Sequence, residues 1–200
     1  MEHHEHVALI RDGILGAGPV WAELGSGEGA FTLALSDLLQ ETHPNTAANP
    51  ARERTGEQLQ IISIDRDVRA LDRQRANLGR HDPRSRVTVT HLTADYREMT
   101  TLALPPLDGV LAANTLHFVR PKPRATLLRE LWERLHPGGR IVVVEYNVDR
   151  GNLWVPHAFS YERWQRMAQD AGFREPRLLH TRPSNHLREI YGASAVKPLS

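Results

Sequence analysis

The stretch Glu23-Leu24-Gly25-Ser26-Gly27-Glu28-Gly29-Ala30 decides the fold, because it joins a short apolar run to a helical pattern. Residues 20–24 have the composition of a buried strand, and apolar residues at helical spacing begin at Phe31. Alternate glycines allow a sharp turn and a close approach of the backbone to a ligand at the edge of an open α/β sheet. The stretch therefore predicts a strand, a ligand-binding turn and a helix, in that order.

The rest of the chain repeats this alternation of apolar runs and helical patterns. Predicted strands occupy 61–64, 87–92, 109–113, 141–144, 177–181 and 187–193. Predicted helices occupy 31–39, 67–78, the segment from Pro121 to a turn at 136–139, and 161–172. The run at 141–144 is apolar on both faces, which is typical of a parallel strand covered by helices on both sides. We therefore predict a doubly wound, mostly parallel, Rossmann-like α/β sheet of about seven strands, with an antiparallel edge strand and helices on both faces.

Length and composition exclude several classes of protein. The 200 residues suffice for a single domain, 1–200, in which the polar segment 41–59 forms a surface insertion. Cysteine is absent, which excludes disulfide scaffolds, thiolate metal sites and thiol nucleophiles. The formal net charge of +1 argues against a surface that tracks nucleic acid throughout. The sequence has neither an apolar run long enough for a membrane span nor the form of a signal peptide, so we expect a soluble, cytoplasmic protein.

Two acidic residues at the glycine turn bear on its ligand. Through Ala30 the stretch also fits the dinucleotide fingerprint G-x-G-x-x-A, so the glycines alone leave a nicotinamide-dependent oxidoreductase open. Glu23 and Glu28 would repel a pyrophosphate group at this position. They would attract a ligand that carries an ammonium and a sulfonium group. S-adenosylmethionine has both, so the acids favour it over a dinucleotide.

The chain resembles the class I S-adenosylmethionine-dependent methyltransferases, in their small, single-domain, type-11-like form, over nearly its whole length. Five segments carry the resemblance, in the family's order, at 23–29, 62–65, 92–96, 107–118 and 135–141. One spacing departs from the pattern, because Gly25 and Asp65 are 40 residues apart, against about 20 in the dinucleotide fold. The polar insertion at 41–59 accounts for the excess.

The resemblance implies a set of S-adenosylmethionine-binding residues. These are Glu23, Gly25, Ser26, Gly27, Gly29, Asp65, Arg66, Asp95, Tyr96, Asn114 and Thr115. Asp65 would accept hydrogen bonds from the ribose hydroxyls, and Asp95 from the adenine amino group, with Tyr96 or Arg66 beside the ring. Glu23 would bind the ammonium group, toward which Asn114 and Thr115 would offer backbone carbonyls. A purely structural role stays open for Asp65 as a helix N-cap, for Asp95 as an Asx-turn, and for Asn114 as a turn residue.

The acceptor side is less specific in the sequence. His117 and Tyr146 are weak candidates for a catalytic role, since a histidine at the position of His117 is more often a pocket or packing residue than a base. His117, Glu145, Trp154 and His157 are weak candidates for substrate contacts. The loop at 146–157 forms either a substrate wall or a crossover that packs its tryptophan on the sheet. We expect methyl transfer to a small or medium-sized acceptor by proximity and alignment, with no obligatory base.

Other functions and partners stay open at this point. An RNA methyltransferase is one alternative, supported by an arginine-rich helix that carries Arg66, Arg69, Arg73, Arg75 and Arg80. A module that binds S-adenosylmethionine without catalysis is another. For the assembly, a homodimer in which the partner subunit completes the pocket is possible. The histidines at positions 3, 4 and 6 lie in an expected unstructured start at residues 2–6, so we expect no metal site there.

Overall fold

Seven strands form one sheet in the computed structural model, which describes residues 1–44, 58–184 and 186–199. The strand order is β3-β2-β1-β4-β5-β7-β6. The strands are β1 (Val20–Leu24), β2 (Gln60–Asp65), β3 (Thr88–Thr93), β4 (Leu107–Ala113), β5 (Leu135–Tyr146), β6 (Arg174–Pro183) and β7 (Glu189–Val196). The helices are α1 (His3–Ile14), α2 (Ala30–Thr42), α3 (Val68–His81), α4 (Pro121–Arg134) and α5 (Tyr161–Asp170). The predicted insertion at 41–59 begins in the last turn of α2, and its residues 45–57 lie outside the described part of the chain.

The sheet is mostly parallel, as the sequence predicted. The first five strands pair in parallel with their neighbours. The antiparallel strand is β7, which lies between β5 and the edge strand β6 and runs against both. The chain winds from β1 to β2 and β3 on one side of β1 and then returns to β4 on its other side, so the strand order reverses at β1. The carboxyl ends of β1 and β4 therefore form the switch point at which open α/β sheets bind ligands.

Helices cover both faces of the sheet, which confirms the doubly wound prediction. Successive residues of β5 show the reason, because Val142 packs with α1 and α2 whereas Val143 packs with α4 and α5. Side chains of a strand alternate between the faces, so a strand that is apolar at every position serves two cores. In the described ranges, each helix is too short or too polar to cross a bilayer.

The expectation of an unstructured start is wrong, because α1 begins at His3. The Glu5 carboxylate accepts a hydrogen bond from the backbone N–H of Glu2 at 2.7 Å and so stabilises the first turn. Leu9, Ile10 and Ile14 then fall on one face and pack against the sheet. Three histidines and two glutamates in the first six residues had obscured this apolar face.

Residues 136–139, predicted as a turn, belong to strand β5, which begins at Leu135. Helix α4 ends at Arg134, and β5 starts at Leu135 opposite Leu107 before its register with β4 shifts. Gly138, with φ +81°, adopts the left-handed conformation that this irregularity requires. The pairing resumes at Gly109 and Arg140, where the apolar part of β5 begins. The two C-terminal strands are also longer than predicted, because they pair with each other beyond their apolar centres.

Candidate functional site

A cavity of about 320 Å³ opens at the carboxyl ends of β1, β2, β3 and β4. Its lining residues are Gly25, Asp65, Arg66, Asp95, Tyr96, Arg97, Asn114, Thr115 and Phe118. Seven of these nine were named from the sequence; Arg97 and Phe118 were not. Each of the four strands delivers residues at or just after its last position, which is where parallel strands converge on a ligand.

The glycine turn after β1 needs its glycines for backbone conformation and for space. Gly25, Gly27 and Gly29 have φ of +61°, +54° and +87°, which residues with a side chain rarely adopt. A Cβ on Gly25 would lie 2.8 Å from the Thr115 hydroxyl, so this glycine also permits a close approach to the turn after β4. Ser26 is buried away from the cavity, and its hydroxyl accepts a hydrogen bond from Ser63 at 2.7 Å.

Asp65 lies at the end of β2 and holds the glycine turn. One carboxylate oxygen accepts from the backbone N–H of Gly27 and the other from that of Asp67, both at 2.8 Å. The N-cap of α3 is Asp67, which accepts from the N–H groups of residues 69 and 70. The alternative role of Asp65 as N-cap is therefore taken by Asp67. Each carboxylate oxygen of Asp65 can accept a further hydrogen bond, and Asp65 lines the cavity.

Asp95 and Tyr96 follow β3 and form another side of the cavity. The Asp95 carboxylate accepts from the backbone N–H of Arg97 at 2.9 Å, which is the predicted Asx-turn, and also pairs with the Arg97 guanidinium. Hydrogen bonding from Arg97 lowers the pKa of Asp95. The Tyr96 hydroxyl donates to the carbonyl of Thr115 at 3.1 Å, and burial raises the pKa of Tyr96 to about 12. A neutral Tyr96 therefore links the turns after β3 and β4.

The two acids near the glycine turn lie in different surroundings. Glu23 is buried behind the turn, outside the cavity lining, and accepts from the Thr32 hydroxyl at 2.5 Å. Burial raises the pKa of Glu23 to about 8, and the negative charge of Asp65 adds to the rise. Glu28 is exposed and pairs with Arg73 at 2.8 Å. Neither acid is therefore the free carboxylate that repulsion of a pyrophosphate would require, because one is buried and the other is paired with a cation.

The turn after β4 brings Asn114 to the cavity. Asn114 has φ +53°, which asparagine tolerates better than most residues. Its Oδ1 is buried and has no hydrogen-bond partner among the described residues. A buried acceptor without a donor is unfavourable by about 1–3 kcal/mol. Asn114 is among the residues that line the cavity, so this oxygen lies beside the space that a ligand would occupy.

A buried carboxylate holds that turn in place. The Oε1 of Glu145, near the end of β5, accepts from the N–H groups of Thr115, Leu116 and His117 at 3.2, 2.9 and 3.3 Å. The Oε2 atom lies 2.6 Å from Nδ1 of His117. Both side chains are almost fully buried, at 3% exposure for His117 and 1% for Glu145. Glu145, named from the sequence as a weak candidate for a substrate contact, thus pairs with a histidine.

The remaining acceptor-side candidates are dispersed. The His117 ring packs between Phe118, at 4.3 Å between centroids, and Tyr146, at 6.2 Å. Trp154 is 78% exposed, so the alternative in which it packs on the sheet is wrong. His157 lines another cavity, of about 340 Å³, and its backbone N–H donates to the carbonyl of His117 at 3.0 Å. The structure therefore places neither Trp154 nor His157 in the lining of the first cavity.

The arginine-rich helix makes mostly local contacts. Arg73 pairs with Glu28 and Arg75 with Asp72, while Arg80 donates to Asn77. Arg66 precedes α3 and lines the cavity. These contacts neutralise part of the basic face from which the RNA alternative was argued.

Comparison with known proteins identifies the family to which the chain belongs. The family described as "Methyltransferase domain" matches residues 22–141, which run from β1 into β5. Over 123 residues the chain is 27% identical to the carboxy-S-adenosyl-L-methionine synthase of Shewanella denitrificans. That match covers 62% of this chain and 42% of the relative, so the chain spans less than half of the relative's length.

Solved structures share the fold at low sequence identity. The N-methyltransferase NodS from Bradyrhizobium japonicum, in complex with S-adenosylhomocysteine, has a TM-score of 0.69 at 16% identity, with 98% of this chain and 85% of NodS covered. An S-adenosylmethionine-dependent methyltransferase from Methanosarcina mazei has a TM-score of 0.68 at 14% identity, with 96% and 98% covered. The family match covers more than half of the residues of this chain. The chain therefore belongs to the methyltransferase-domain family and has the fold of the class I S-adenosylmethionine-dependent methyltransferases.

Proposed function

We propose that the protein transfers the methyl group of S-adenosylmethionine to a small or medium-sized acceptor. The observation that carries the proposal is made at Asn114, which lines the cavity and whose buried Oδ1 has no donor among the described residues. A ligand ammonium supplies that donor. Family membership supports the same cofactor.

The other residues of the cavity also fit this cofactor. Asp65 and Asp95 lie on the cavity wall at the ends of adjacent strands, as acceptors for ribose hydroxyls and for an adenine amino group. Tyr96 provides an aromatic wall between them and the turn after β4. The cavity volume of about 320 Å³ lies within the range of small-molecule sites. Glu23 is the nearby acid that a bound ammonium would ionise.

Catalysis in this proposal depends on alignment. Bound S-adenosylmethionine supplies an electrophilic methyl group on a positively charged sulfur. The chain contributes a fixed turn at 114–118, which Glu145 and Tyr96 hold from two sides. Phe118 is 55% exposed at the cavity rim and offers an apolar surface for an acceptor. Holding the two reactants in line supplies most of the rate enhancement, and no side chain is required as a base.

Formation of S-adenosylhomocysteine tests the proposed activity. We expect the purified protein to convert S-adenosylmethionine to S-adenosylhomocysteine when it is mixed with the small-molecule filtrate of a cell extract. Tight binding with no turnover in any fraction would instead assign a binding module without catalysis. Turnover only with the RNA fraction, with activity that falls steeply as salt rises, would favour the RNA alternative.

Asp65→Ala tests the cofactor site itself. We expect the dissociation constant for S-adenosylhomocysteine to rise by about 10- to 100-fold, because the ribose loses a charged acceptor and the glycine turn loses its anchor. Isothermal titration calorimetry measures the change. Asp67→Asn is the matched control, since asparagine is an equally good N-cap and residue 67 is outside the cavity lining. An unchanged constant for Asp65→Ala would remove Asp65 from the site.

Location and assembly are part of the proposal. We infer a cytoplasmic protein that acts on its acceptor either as a monomer or as a homodimer whose second subunit completes the open side of the cavity. Fractionation of cells that express the full-length protein tests the first statement. Sedimentation of the purified protein with and without S-adenosylhomocysteine tests the second.

A further inference from the structure

Side chains from three helices meet at a surface point away from the cofactor cavity. His3 begins α1, Asp37 lies within α2, and His81 ends α3. The Nε2 atom of His3 is 2.8 Å from Oδ2 of Asp37, and Nε2 of His81 is 3.1 Å from the same oxygen. The three ligand atoms all lie within 4.8 Å of one another. We name this group the helix triad: His3, Asp37 and His81.

The donor set of the helix triad suits a divalent transition metal. Two imidazole nitrogens and one carboxylate are ligands that Zn²⁺ binds in proteins, at about 2.0–2.2 Å each. Ligand atoms around a tetrahedral Zn²⁺ are then about 3.3 Å apart. The two separations from Asp37 are 2.8 and 3.1 Å and the third, between the histidines, is within 4.8 Å, so the ion would draw the two imidazoles together and move the carboxylate slightly away. Hard cations such as Mg²⁺ prefer sets made only of oxygen atoms.

The three helices hold the triad in register through other contacts. Arg11 of α1 pairs with Glu41 of α2. Gln40 of α2 donates to Asp82, the residue after α3, at 3.1 Å. Gln40, Glu41 and Asp82 lie about one turn or less from the triad and Arg11 lies about two turns from His3, so the geometry of the triad does not depend on the triad alone. His81 also lies at the carboxyl end of its helix, where the helix dipole favours a cation.

The exposure of the triad leaves room for additional ligands. The side chains of His3, Asp37 and His81 are 39%, 36% and 33% exposed. Three protein ligands with access to solvent leave at least one coordination position for water, as in sites that Zn²⁺ occupies reversibly. None of the three residues lines the cavity that contains Asp65.

We propose that the helix triad binds Zn²⁺ and that the ion fastens α1 to α2 and α3. The ion binds the Nε2 lone pairs and the carboxylate, and each imidazole proton moves to Nδ1. Helix α1 covers one face of the sheet with Leu9, Ile10 and Ile14, so the ion stabilises the packing of that face. The proposal is independent of the methyl-transfer function and of the cofactor site.

A ZnCl₂ titration of the metal-free protein tests the proposal. We expect one equivalent of Zn²⁺ to bind, and the unfolding temperature to rise by about 5–10 °C at a Zn²⁺ concentration a hundredfold above the dissociation constant. Added Mg²⁺ has no such effect. Co²⁺ gives a second readout, since its visible absorption band reports nitrogen and oxygen coordination in the folded protein.

Variants separate this site from the other histidines of the chain. His3→Ala, His81→Ala and Asp37→Asn weaken Zn²⁺ binding at least about tenfold. His4→Ala, at the exposed neighbouring position, binds Zn²⁺ like the unmodified protein. Asp37→Asn keeps an acceptor for one histidine and so preserves folding if another variant unfolds. If Zn²⁺ does not stabilise the unmodified protein, or stabilises the His3→Ala/His81→Ala protein equally, the triad is a hydrogen-bonded clamp and the proposal is overturned.

Discussion

Between about pH 5 and about pH 8, we expect the affinity for S-adenosylmethionine to rise with pH, by at most about tenfold for each pH unit. Burial holds the pKa of Glu23 at about 8, so its carboxyl group is protonated at neutral pH in the ligand-free protein. A ligand ammonium near the glycine turn favours the ionised carboxylate. Binding therefore releases a proton, and a higher pH makes that release easier. Isothermal titration calorimetry across this range measures the slope.

Two controls assign the slope to Glu23. Glu23→Gln keeps an acceptor for the Thr32 hydroxyl but has no proton to release, so its affinity follows only the ionisation of the ligand. With the unmodified protein, 5′-methylthioadenosine gives a flat profile, because this ligand lacks the ammonium group. Equal slopes for the unmodified protein and Glu23→Gln would contradict the role given to Glu23.

The stability of the ligand-free protein provides a second readout of the same pKa. Glu23 in the unfolded chain ionises near its ordinary value of 4.5, whereas the folded protein keeps the proton up to about 8. Between these values the free energy of unfolding contributed by Glu23 falls as the pH rises, by about 1.4 kcal/mol per unit. Glu23→Gln avoids this loss. We therefore expect the free energy of unfolding of Glu23→Gln, measured by urea denaturation, to be higher than that of the unmodified protein above about pH 8. Below about pH 4.5 we expect the two values to be equal.

Glu145→Ala is expected to destabilise the fold by about 3–5 kcal/mol, because it breaks a buried pair by removal of one partner. The substitution leaves three backbone N–H groups and Nδ1 of His117 without the acceptor they share. Because Glu145 is 1% exposed, water does not readily replace the carboxylate. The midpoint of urea denaturation measures the loss, with an unchanged slope as the sign that the transition is the same.

A conservative variant of Glu145 and a variant of an exposed glutamate serve as controls for that measurement. Glu145→Gln keeps an oxygen acceptor for the backbone groups but changes the partner of His117, so we expect a loss of about 1–3 kcal/mol. Glu133→Ala, at an exposed position of α4, is expected to stay within about 0.5 kcal/mol of the unmodified protein. A Glu145→Ala protein as stable as Glu133→Ala would show that the turn at 114–118 is held by other contacts.

Local patterns in the sequence predicted the sheet but not every end of its elements. The apolar runs located all seven strands, since each run had to bury side chains on one or both faces. Helix α1 was missed because its first turn is stabilised by Glu5 and its His6 packs on Phe31, and neither contact follows from composition. The early start of β5 was missed because it depends on an irregular pairing with Leu107.

The lining of the cavity was more predictable than the positions of the residues named for the acceptor. Asp65 is the last residue of β2 and Asn114 is the first residue after β4, so prediction of these strands also predicted the positions of both residues. Arg97 and Phe118 were missed, because their positions depend on the ion pair with Asp95 and on the packing of Phe118 against His117. The difference between Glu23 and Glu28 was also beyond the sequence, since burial is a property of the folded chain.

The attachment of the turn at 114–118 to Glu145 has a consequence for the entropy of binding. Ordering one backbone residue costs about 1–2 kcal/mol. Three successive N–H groups of this turn are already fixed to one carboxylate, so its freedom is lost when the chain folds and not when the ligand arrives. Asn114 and Phe118 therefore meet the ligand as parts of a preorganised surface. Ligand affinity and fold stability therefore depend on the same carboxylate, and substitutions that remove its hydrogen bonds to the turn will weaken both.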